Sequence, residues 1–256
     1  MEIVIDNVSK TFIDSKNIKV PALENINFSI KEHEFVVLVG PSGCGKSTLL
    51  NIVGGLMSPT EGSVYFEGID KKQPDLGIVF QDIALLPWRT VYQNVIYGLE
   101  EKKFSKQHQK EIGQKYIDMV GLTGFENTYP KELSGGMKQR AGIARALAIE
   151  PDLLLMDEPF SALDAQTRTL MQEELLTIWN RTKLSTLYVT HNIQEAVFLA
   201  DRVIVLSRHP GKLKSIIDID LPKIGRNEPQ FYNKFEAYVE EIWQLIRHDA
   251  KKALKE

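Results

Sequence analysis

The feature that most constrains this chain is a glycine-rich loop placed directly after a short, continuously apolar segment. The apolar segment, Phe35–Val39, predicts a strand buried on both of its faces. The loop has the spacing glycine, four residues, glycine, lysine and serine or threonine, which is typical of a phosphate-binding loop. It consists of Gly40, Pro41, Ser42, Gly43, Cys44, Gly45, Lys46, Ser47 and Thr48. A helix is predicted from about Lys46 onward, so strand, loop and helix follow one another as in an α/β fold.

The residue types in this loop explain how it would hold a nucleotide. Glycines permit backbone dihedral angles that other residues resist, so that successive N–H groups can converge on phosphate oxygens. The helix N-terminus adds partial positive charge, and Lys46 adds a full charge for the β and γ phosphates. The Ser47 hydroxyl is of the type that ligates Mg²⁺ in such loops. The loop therefore predicts a nucleoside triphosphate with Mg²⁺ at this position.

Composition narrows the class of protein. The 256 residues include 31 Lys and Arg against 34 Asp and Glu, a formal net charge of −3. A dedicated nucleic-acid binder is usually strongly basic, so no nucleic-acid partner is predicted. The single cysteine excludes an internal disulfide framework and a multi-cysteine metal site, which indicates a reducing compartment. The apolar stretches are too short to span a bilayer and no signal peptide is evident, so we expect a cytosolic chain or one held at a membrane by a partner.

The chain changes character along its length. Short strands are predicted at about residues 2–8, 26–30, 35–39, 63–66, 76–80, 153–156, 187–189 and 203–206. Strands separated by helices, as in the last third, favour a mainly parallel sheet. We expect one domain over residues 1–256, with a helical subdomain at about 82–150 inserted in the core. A helical tail is expected at about 227–256, where apolar residues recur at helical spacing.

A pair of carboxylates follows another candidate for a buried strand. Leu153–Met156 is apolar and leads into Asp157 and Glu158, and ligand sites of α/β proteins lie at the carboxyl ends of strands. Asp157 is placed to hold Mg²⁺, directly or through water, and Glu158 is placed to polarise an attacking water. Such a pair alone is more often a solvated turn; the phosphate-binding loop upstream favours the functional interpretation.

A second helix start is suited to an anion. Ser134 is a good N-cap, and Gly135 and Gly136 expose backbone N–H groups before an apolar-periodic segment. An ordinary serine-capped helix with a glycine-rich entry would have the same pattern.

The segment Leu133–Arg140 resembles the signature sequence of ABC-type ATPases. The other motifs of that family are matched in the family's order by Gly40–Thr48 (Walker A), Gln81 (Q-loop), Leu153–Glu158 (Walker B), Ser161–Asp164 (D-loop) and His191 (switch histidine). The resemblance covers about residues 3–206. It implies an α/β fold of the ABC-type P-loop ATPases, with a mainly parallel RecA-like core sheet, an N-terminal antiparallel β region and a helical subdomain.

The resemblance also implies roles for individual residues. The residues implied to act in ATP hydrolysis are Lys46, Gln81, Glu158 and His191. The residues implied as Mg²⁺ ligands are Ser47, Gln81 and Asp157. Phe12 stands where the family usually has an aromatic residue, often tyrosine, that stacks on adenine; a place in the core is equally open for Phe12.

The family works as pairs of ATPase subunits, so the resemblance implies a second copy or a homologous subunit as partner. Ser134, Gly135 and Gly136 would bind the ATP held by the Walker A loop of that partner. Asp164, in the D-loop, would help to join the two subunits. A monomer is therefore expected to hydrolyse ATP poorly.

The segment after Gln81 indicates the kind of ABC ATPase. Leu85–Val91 places Trp88 in an apolar patch suited to docking, and this run is similar to importer ATPases of the nitrate, sulfonate and taurine group. Ser207–Gly211 and the short C-terminal tail are similar to that group too. The resemblance implies a subunit on the cytoplasmic face of the membrane, bound to permease subunits and served by a solute-binding protein. Uptake of a thiamine-precursor pyrimidine, or a soluble ATPase of the iron–sulfur assembly type, are the alternatives.

Overall fold

The computed structural model describes residues 1–69, 74–223, 225–226 and 228–253, with side chains described up to residue 247. The chain divides into two compact units. We call Met1–Lys72 together with Ser185–Glu256 the split unit, and Gln73–Leu184 the middle unit.

Strands dominate the first part of the chain, helices the middle, and strands alternate with helices from Leu153 to Leu206. The strands are β1 (Glu2–Ile13), β2 (Lys19–Ile30), β3 (Phe35–Val39), β4 (Glu61–Glu67), β5 (Leu76–Val79), β6 (Leu153–Asp157), β7 (Ser185–Val189), β8 (Arg202–Leu206) and β9 (Leu213–Asp218). The helices are α1 (Lys46–Val53), α2 (Val91–Val95), α3 (Tyr97–Glu101), α4 (Lys106–Met119), α5 (Gly135–Ala148), α6 (Ala165–Thr182), α7 (Ile193–Leu199) and α8 (Tyr232–Ala253). Short 3-10 turns lie at Pro130–Glu132 and Pro229–Phe231.

An antiparallel sheet forms the beginning of the split unit. Its strand order is β2-β1-β4, and Ile3 of β1 faces Ile30 of β2. Ile3 and Ile5 of β1, and Ile26, Phe28 and Ile30 of β2, are buried in alternation with less buried neighbours, as the alternating sequence predicts. The expected N-terminal antiparallel β region is confirmed.

Parallel strand pairs form the centre of the second sheet region in the split unit. Strand β3 pairs in parallel with β7 on one side and with β8 on the other, and all five of its residues are buried. A strand with neighbours on both sides and cover on both faces requires an unbroken apolar run, which Phe35–Val39 supplies. Strand β9 pairs antiparallel to β8 and stands at the end of the strand order. The prediction of a mainly parallel core is confirmed, whereas β9 was not predicted.

The middle unit combines a parallel strand pair with helices. Strands β5 and β6 pair in parallel, with Val79 beside Met156. The unit also contains α2, α3, α4 and α6, together with α5, of which more than half of the residues are buried. The first helix after β5 begins at Val91, so residues 82–90 are irregular although they lie inside the stretch predicted as mostly helical. Thr90 explains the helix start, since its hydroxyl and the Gln93 side chain form a reciprocal capping box.

Helix α8 packs along one side against the rest of the split unit, to which it belongs. Ile242 is fully buried, the Tyr238 hydroxyl accepts a hydrogen bond from the Asp220 N–H, and Lys214 Nζ donates to the Leu245 carbonyl. The apolar stripe predicted for the tail is thus the side that contacts the protein. Among the residues the structure describes, no helix has the length and apolar character needed to cross a membrane.

Candidate functional site

The glycine-rich loop connects β3 to α1 in the split unit. Gly43 and Gly45 have φ angles of 74° and 98°, in the left-handed region that other residues adopt only with strain. Gly40 is a glycine for another reason: a Cβ there would lie 2.8 Å from Cys44 Sγ and 3.0 Å from the Leu206 carbonyl oxygen. The expectation that all three glycines serve unusual dihedral angles is therefore wrong for Gly40, where close packing excludes a side chain.

Lys46 lies folded over this loop. Its Nζ donates to the carbonyl oxygens of Gly40 at 2.9 Å and Pro41 at 3.1 Å, and only 6% of the residue is exposed. The ammonium group is thus held at the start of α1, where the loop N–H groups and the helix dipole favour an anion. Ser47, the next residue, is exposed in the first helical turn. The two residues predicted to contact phosphate and Mg²⁺ stand at one helix start.

His191 follows β7, the parallel neighbour of β3. The Thr190 N–H donates to the Leu38 carbonyl at 3.2 Å, which ties the end of β7 to the end of β3. His191 is exposed, and α7 begins two residues later behind the Asn192 cap. The structure therefore brings the glycine-rich loop and His191 to the same edge of the split unit.

Phe12 lies on β1 of the split unit, opposite Val20 of β2. Its ring is 39% exposed, and Lys10 Nζ lies 5.4 Å from the ring centroid. The core position considered from the sequence is thus excluded. An exposed ring with a cation nearby is able to stack on a purine base.

In the middle unit, Gln81, Asp157 and Glu158 stand at the ends of neighbouring strands. Gln81 is exposed two residues after β5, and Asp157 is the last residue of β6. The strands are parallel, so these side chains share one edge. Glu158 has a φ angle of 43°, which is uncommon for a residue with a side chain. Strain of this kind persists where the surrounding fold fixes it, and it concentrates at functional sites.

The signature segment begins α5 in the middle unit. Ser134 is the N-cap, and its Oγ accepts from the Met137 N–H at 3.3 Å. A Cβ on Gly135 or Gly136 would be no nearer than 3.5 Å or 3.4 Å to any neighbouring atom, and both have helical backbones. Packing within the middle unit does not require glycine at either position. Glycine at both positions leaves the backbone N–H groups at the start of α5 uncovered by side chains, as the binding of an anion requires.

A cavity of about 540 Å³ opens beside this helix start. Its lining includes Ser134, Gly135, Gly136, Leu163, Asp164 and Thr167. Asp164 caps α6, and its carboxylate accepts from the N–H groups of Gln166 at 3.1 Å and Thr167 at 3.0 Å. Hydrogen bonds from Thr167 are the main reason that the pKa of the Asp164 carboxyl lies below its ordinary value of 3.8. The middle unit thus brings the predicted signature and D-loop residues around one opening.

Trp88 stands out from the middle unit with 71% of its surface exposed. The turn that carries it is shaped by Asn94, a fully buried side chain that accepts from the Leu86 N–H and donates to the Arg89 and Thr90 carbonyls. Arg89 forms an ion pair with Glu100 on α3. We call Leu85–Thr90, with this support, the Trp88 platform.

Arg145 was missed from the sequence. It lies on α5 and donates to the Ile83 carbonyl at 2.9 Å and the Ala84 carbonyl at 2.7 Å, in the segment that follows Gln81. Burial lowers the pKa of its guanidinium. Helix α5 thus begins with the signature residues and holds the segment after Gln81 through one side chain. No sequence pattern pointed to this contact, because the partners are backbone carbonyls.

A buried strand, a phosphate-binding loop and a helix, with acidic and polar side chains at the carboxyl ends of further parallel strands, define a P-loop nucleotide-hydrolysing protein. The sequence profile of the ABC transporter family matches residues 23–161, more than half of the chain. The chain belongs to this family, as an ATP-binding subunit with ATPase activity.

Curated relatives are similar over nearly the whole chain. An uncharacterized ABC transporter ATP-binding protein of Methanocaldococcus jannaschii is 48% identical over 100% of this chain and 95% of its own length. A nitrate import ATP-binding protein of Synechocystis is 45% identical over 96% of both chains. An aliphatic sulfonates import ATP-binding protein of Bacillus cereus is 47% identical over 87% of this chain and 88% of its own.

A solved structure shares the fold. It is the dimeric post-hydrolysis state of an ATP-binding cassette bound to ADP and Pi, and it is 35% identical to this chain. The match has a TM-score of 0.74 and covers 86% of this chain and 100% of the other. The α/β fold of the ABC-type ATPases is thereby confirmed.

Proposed function

We propose that this chain is the ATP-hydrolysing subunit of a binding-protein-dependent ABC importer for a small anion such as nitrate, a sulfonate or taurine. The observation that carries the proposal is its 45% identity to a nitrate import ATP-binding protein over 96% of both chains. The similarity to an aliphatic sulfonates import ATP-binding protein supports the same group of solutes. In such importers the ATPase subunit supplies energy and does not contact the solute.

ATP binding is assigned to the glycine-rich loop, with the Phe12 ring as the adenine contact. Lys46, Gln81, Glu158 and His191 are the residues proposed to act in ATP hydrolysis, as the motifs of the family suggest. Phosphoryl transfer depends mainly on positioning and on stabilising developing charge, which Lys46 and the loop N–H groups supply. Glu158 would accept the proton of the attacking water, and His191 would contact the γ-phosphate.

The donor chemistry of the chain fits Mg²⁺. Among the described residues no cluster of three or more His, Cys, Asp or Glu could hold a metal by itself. Mg²⁺ is usually bound through one or two carboxylates together with nucleotide phosphates and water. Ser47, Gln81 and Asp157 would supply hydroxyl, amide and carboxylate oxygens. The ion would neutralise charge on the β and γ phosphates.

A second copy of the chain, or a homologous subunit, is the proposed ATPase partner. Ser134, Gly135 and Gly136 present N–H groups at the start of α5 with no packing reason for the glycines. These three residues would bind the γ-phosphate of ATP held by the partner's loop, and Asp164 would lie at the contact between subunits. The dimeric ADP- and Pi-bound cassette at 35% identity supports this arrangement.

Permease subunits are the proposed membrane partners, and the Trp88 platform is the proposed docking surface. Exposed tryptophan is enriched among the residues that dominate binding energy at protein interfaces. The subunit would lie on the cytoplasmic face of the membrane as a peripheral protein, and a solute-binding protein would be an indirect partner. No nucleic acid is assigned. Residues 1–256 would act as one ATPase domain, with a helical subdomain at about 82–150 and a tail at about 227–256.

The test is a tagged pull-down from detergent-solubilised membranes, with the co-purifying proteins identified by mass spectrometry. We expect a multi-spanning permease, recovered at least about tenfold less with Trp88→Ala. Trp243→Ala is the matched control, because Trp243 is an exposed tryptophan on α8. Recovery of a soluble partner alone would instead favour a soluble ATPase of the iron–sulfur assembly type. The binding protein encoded with the permease, assayed with nitrate, sulfonates and a thiamine-precursor pyrimidine, would identify the solute.

The role of Glu158 has its own test. Glu158→Gln keeps the size of the side chain but removes the base, so ATP should bind while steady-state turnover falls at least about 100-fold. An ATP-bound dimer should accumulate and be visible by light scattering after size-exclusion chromatography. Glu111→Gln, on the exposed side of α4, is the control. Fast turnover by Glu158→Gln would remove Glu158 from the catalytic residues.

A further inference from the structure

His191 lies in the short turn that connects β7 to α7. It is the only residue between Thr190, at the end of β7, and Asn192, the N-cap of α7. The histidine is exposed, whereas Thr190 is 2% exposed and Glu195, in the first turn of α7, is 5% exposed. An exposed catalytic side chain on a turn this short takes its direction from the residues on both sides.

Glu195 is a buried carboxylate held by hydroxyl groups. Its Oε1 accepts from the Tyr188 hydroxyl at 2.9 Å, and its Oε2 accepts from the Thr190 hydroxyl. Burying a carboxylate is costly, and an apolar side chain of similar volume is often equally stabilising. A carboxylate in the first turn of α7 interacts favourably with the helix dipole, but an exposed one would do the same. The burial of Glu195 and its bonds to the Tyr188 and Thr190 hydroxyl groups point to a geometric role in addition.

The hydrogen bonds of Glu195 reach the backbone on the far side of His191. A threonine hydroxyl has one proton, and Thr190 gives it to Glu195, so its oxygen is free to accept. The Thr190 oxygen accepts a hydrogen bond from the Asn192 N–H at 3.0 Å, so the residues on either side of His191 are linked. The Asn192 side chain in turn accepts from the Glu195 N–H at 3.2 Å. Glu195 thus fixes both ends of the turn.

We infer that Glu195 is a positioning residue for His191 in ATP hydrolysis: its carboxylate orients the Thr190 hydroxyl, which fixes the turn that aims the histidine. This inference rests on the proposed role of His191 at the γ-phosphate. Glu195 acts through the turn and not directly on ATP, because it is 5% exposed and its carboxylate oxygens accept from the Tyr188 and Thr190 hydroxyl groups. Its effect belongs to the catalytic step and leaves ATP affinity unchanged.

The first experiment compares Glu195→Gln with the wild-type full-length chain in steady-state ATPase assays at matched dimer concentrations. Glutamine has the same size, but its amide N–H₂ group can face the Thr190 oxygen and compete with the Asn192 N–H for it. We expect kcat to fall about tenfold, the size typical of losing an outer partner of a catalytic group. The KM for ATP should change less than about twofold, because ground-state binding is untouched.

Thr190 gives an independent version of the test. Thr190→Val keeps the shape but removes the hydroxyl and should lower kcat as Glu195→Gln does, whereas Thr190→Ser restores the hydroxyl and should recover most of the rate. Thr177→Val is the matched control, since the Thr177 hydroxyl bonds only within α6 to the Glu173 carbonyl in the described contacts. Thermal unfolding of each variant reports whether the fold is intact.

A double-mutant cycle with His191→Ala distinguishes an effect that acts through His191 from a general loss of folding or activity. If Glu195 acts through His191, Glu195→Gln should have almost no further effect on kcat in the His191→Ala background. An equal loss in both backgrounds, or full activity of Glu195→Gln and Thr190→Val, would overturn the inference. Normal turnover by His191→Ala alone would instead refute the proposed role of His191, and the inference with it.

Discussion

Cys44 lies in the middle of the phosphate-binding loop, yet none of its surface is exposed. Burial raises the pKa of its thiol more than the neighbouring Lys46 cation lowers it. The thiolate is the reactive form, so both solvent access and ionisation disfavour reaction at neutral pH. The motif predicts that the thiol lies in a loop that binds phosphate, and the structure adds that the thiol has no exposed surface.

We expect Cys44 to react with a bulky thiol reagent at least about 100-fold more slowly in the native chain than in urea. Once labelled, the loop should no longer bind ATP, because the adduct must displace the loop backbone. The rate is measured by absorbance and the site by mass spectrometry, and ATP binding by fluorescence titration. Rapid native labelling, or normal ATP affinity of the fully labelled chain, would contradict this account.

The functional residues that belong to a sequence motif could be predicted from the sequence. The residues that act by hydrogen bonding to the backbone could not. Lys46, Glu158 and Ser134 stand in motifs whose chemistry can be stated from the residue types. Asn94 and Arg145 donate hydrogen bonds to backbone carbonyl groups of irregular segments. Every residue has a carbonyl group, so the sequence does not indicate which of them is the partner. The assignment of the motif residues to one ATP stays a prediction.

At the scale of the elements, short continuous apolar runs predicted the buried strands β3, β6, β7 and β8, because a strand buried on both faces has apolar residues at successive positions. Strand β9 was missed because its sequence does not alternate between apolar and polar residues, although its burial does: Ile216 is apolar and yet 40% exposed. The start of the helical stretch was placed too early, because helix start at Val91 depends on the Thr90 cap, while Asn94 holds the preceding turn out of helical geometry. Caps and side-chain-to-backbone contacts thus decide the boundaries.

The Asp164 cap of α6 gives a prediction about pH. A carboxyl whose pKa is lowered on folding stabilises the fold above its ordinary pKa of 3.8, and this contribution is lost as the pH falls through the folded value. Asp164→Asn should therefore lower the free energy of unfolding at pH 7 and pH 5 by the same amount. The difference should shrink below pH 3.8.

Urea unfolding at several pH values checks this prediction. Asp218→Asn, an exposed carboxylate on β9, is the control and should show no comparable effect. A difference between Asp164→Asn and wild type that stays constant down to pH 3 would show that the charge of the cap does not contribute.

At the scale of the whole molecule, the proposed head-to-tail dimer makes each ATP site depend on two chains. Lys46→Ala disables the loop half of a site, and Ser134→Arg blocks the signature half. Each variant alone should retain less than about 5% of wild-type ATPase activity, since both of its sites are defective. An equal mixture should recover about a quarter of the activity, because half of the dimers contain one intact site.

The control mixture combines Lys46→Ala with His191→Ala. Both substitutions lie in the half-site that holds the nucleotide, so no exchange of subunits produces an intact site. Equal recovery in both mixtures, or none in the first, would refute composite sites. The assay is steady-state phosphate release after the variants have been mixed and allowed to exchange.

The charged edge of the split unit has a consequence for the behaviour of the protein at high concentration. A strand at a sheet edge offers unpaired N–H and C=O groups to any other extended chain, which is a route to aggregation. Strand β9 occupies such an edge, and it carries exposed Lys214 and Asp218, with Lys214 bound to the α8 backbone. A foreign strand that pairs with β9 would bring its own side chains beside these charges. The charged edge therefore disfavours edge-to-edge association of the folded chain at high concentration.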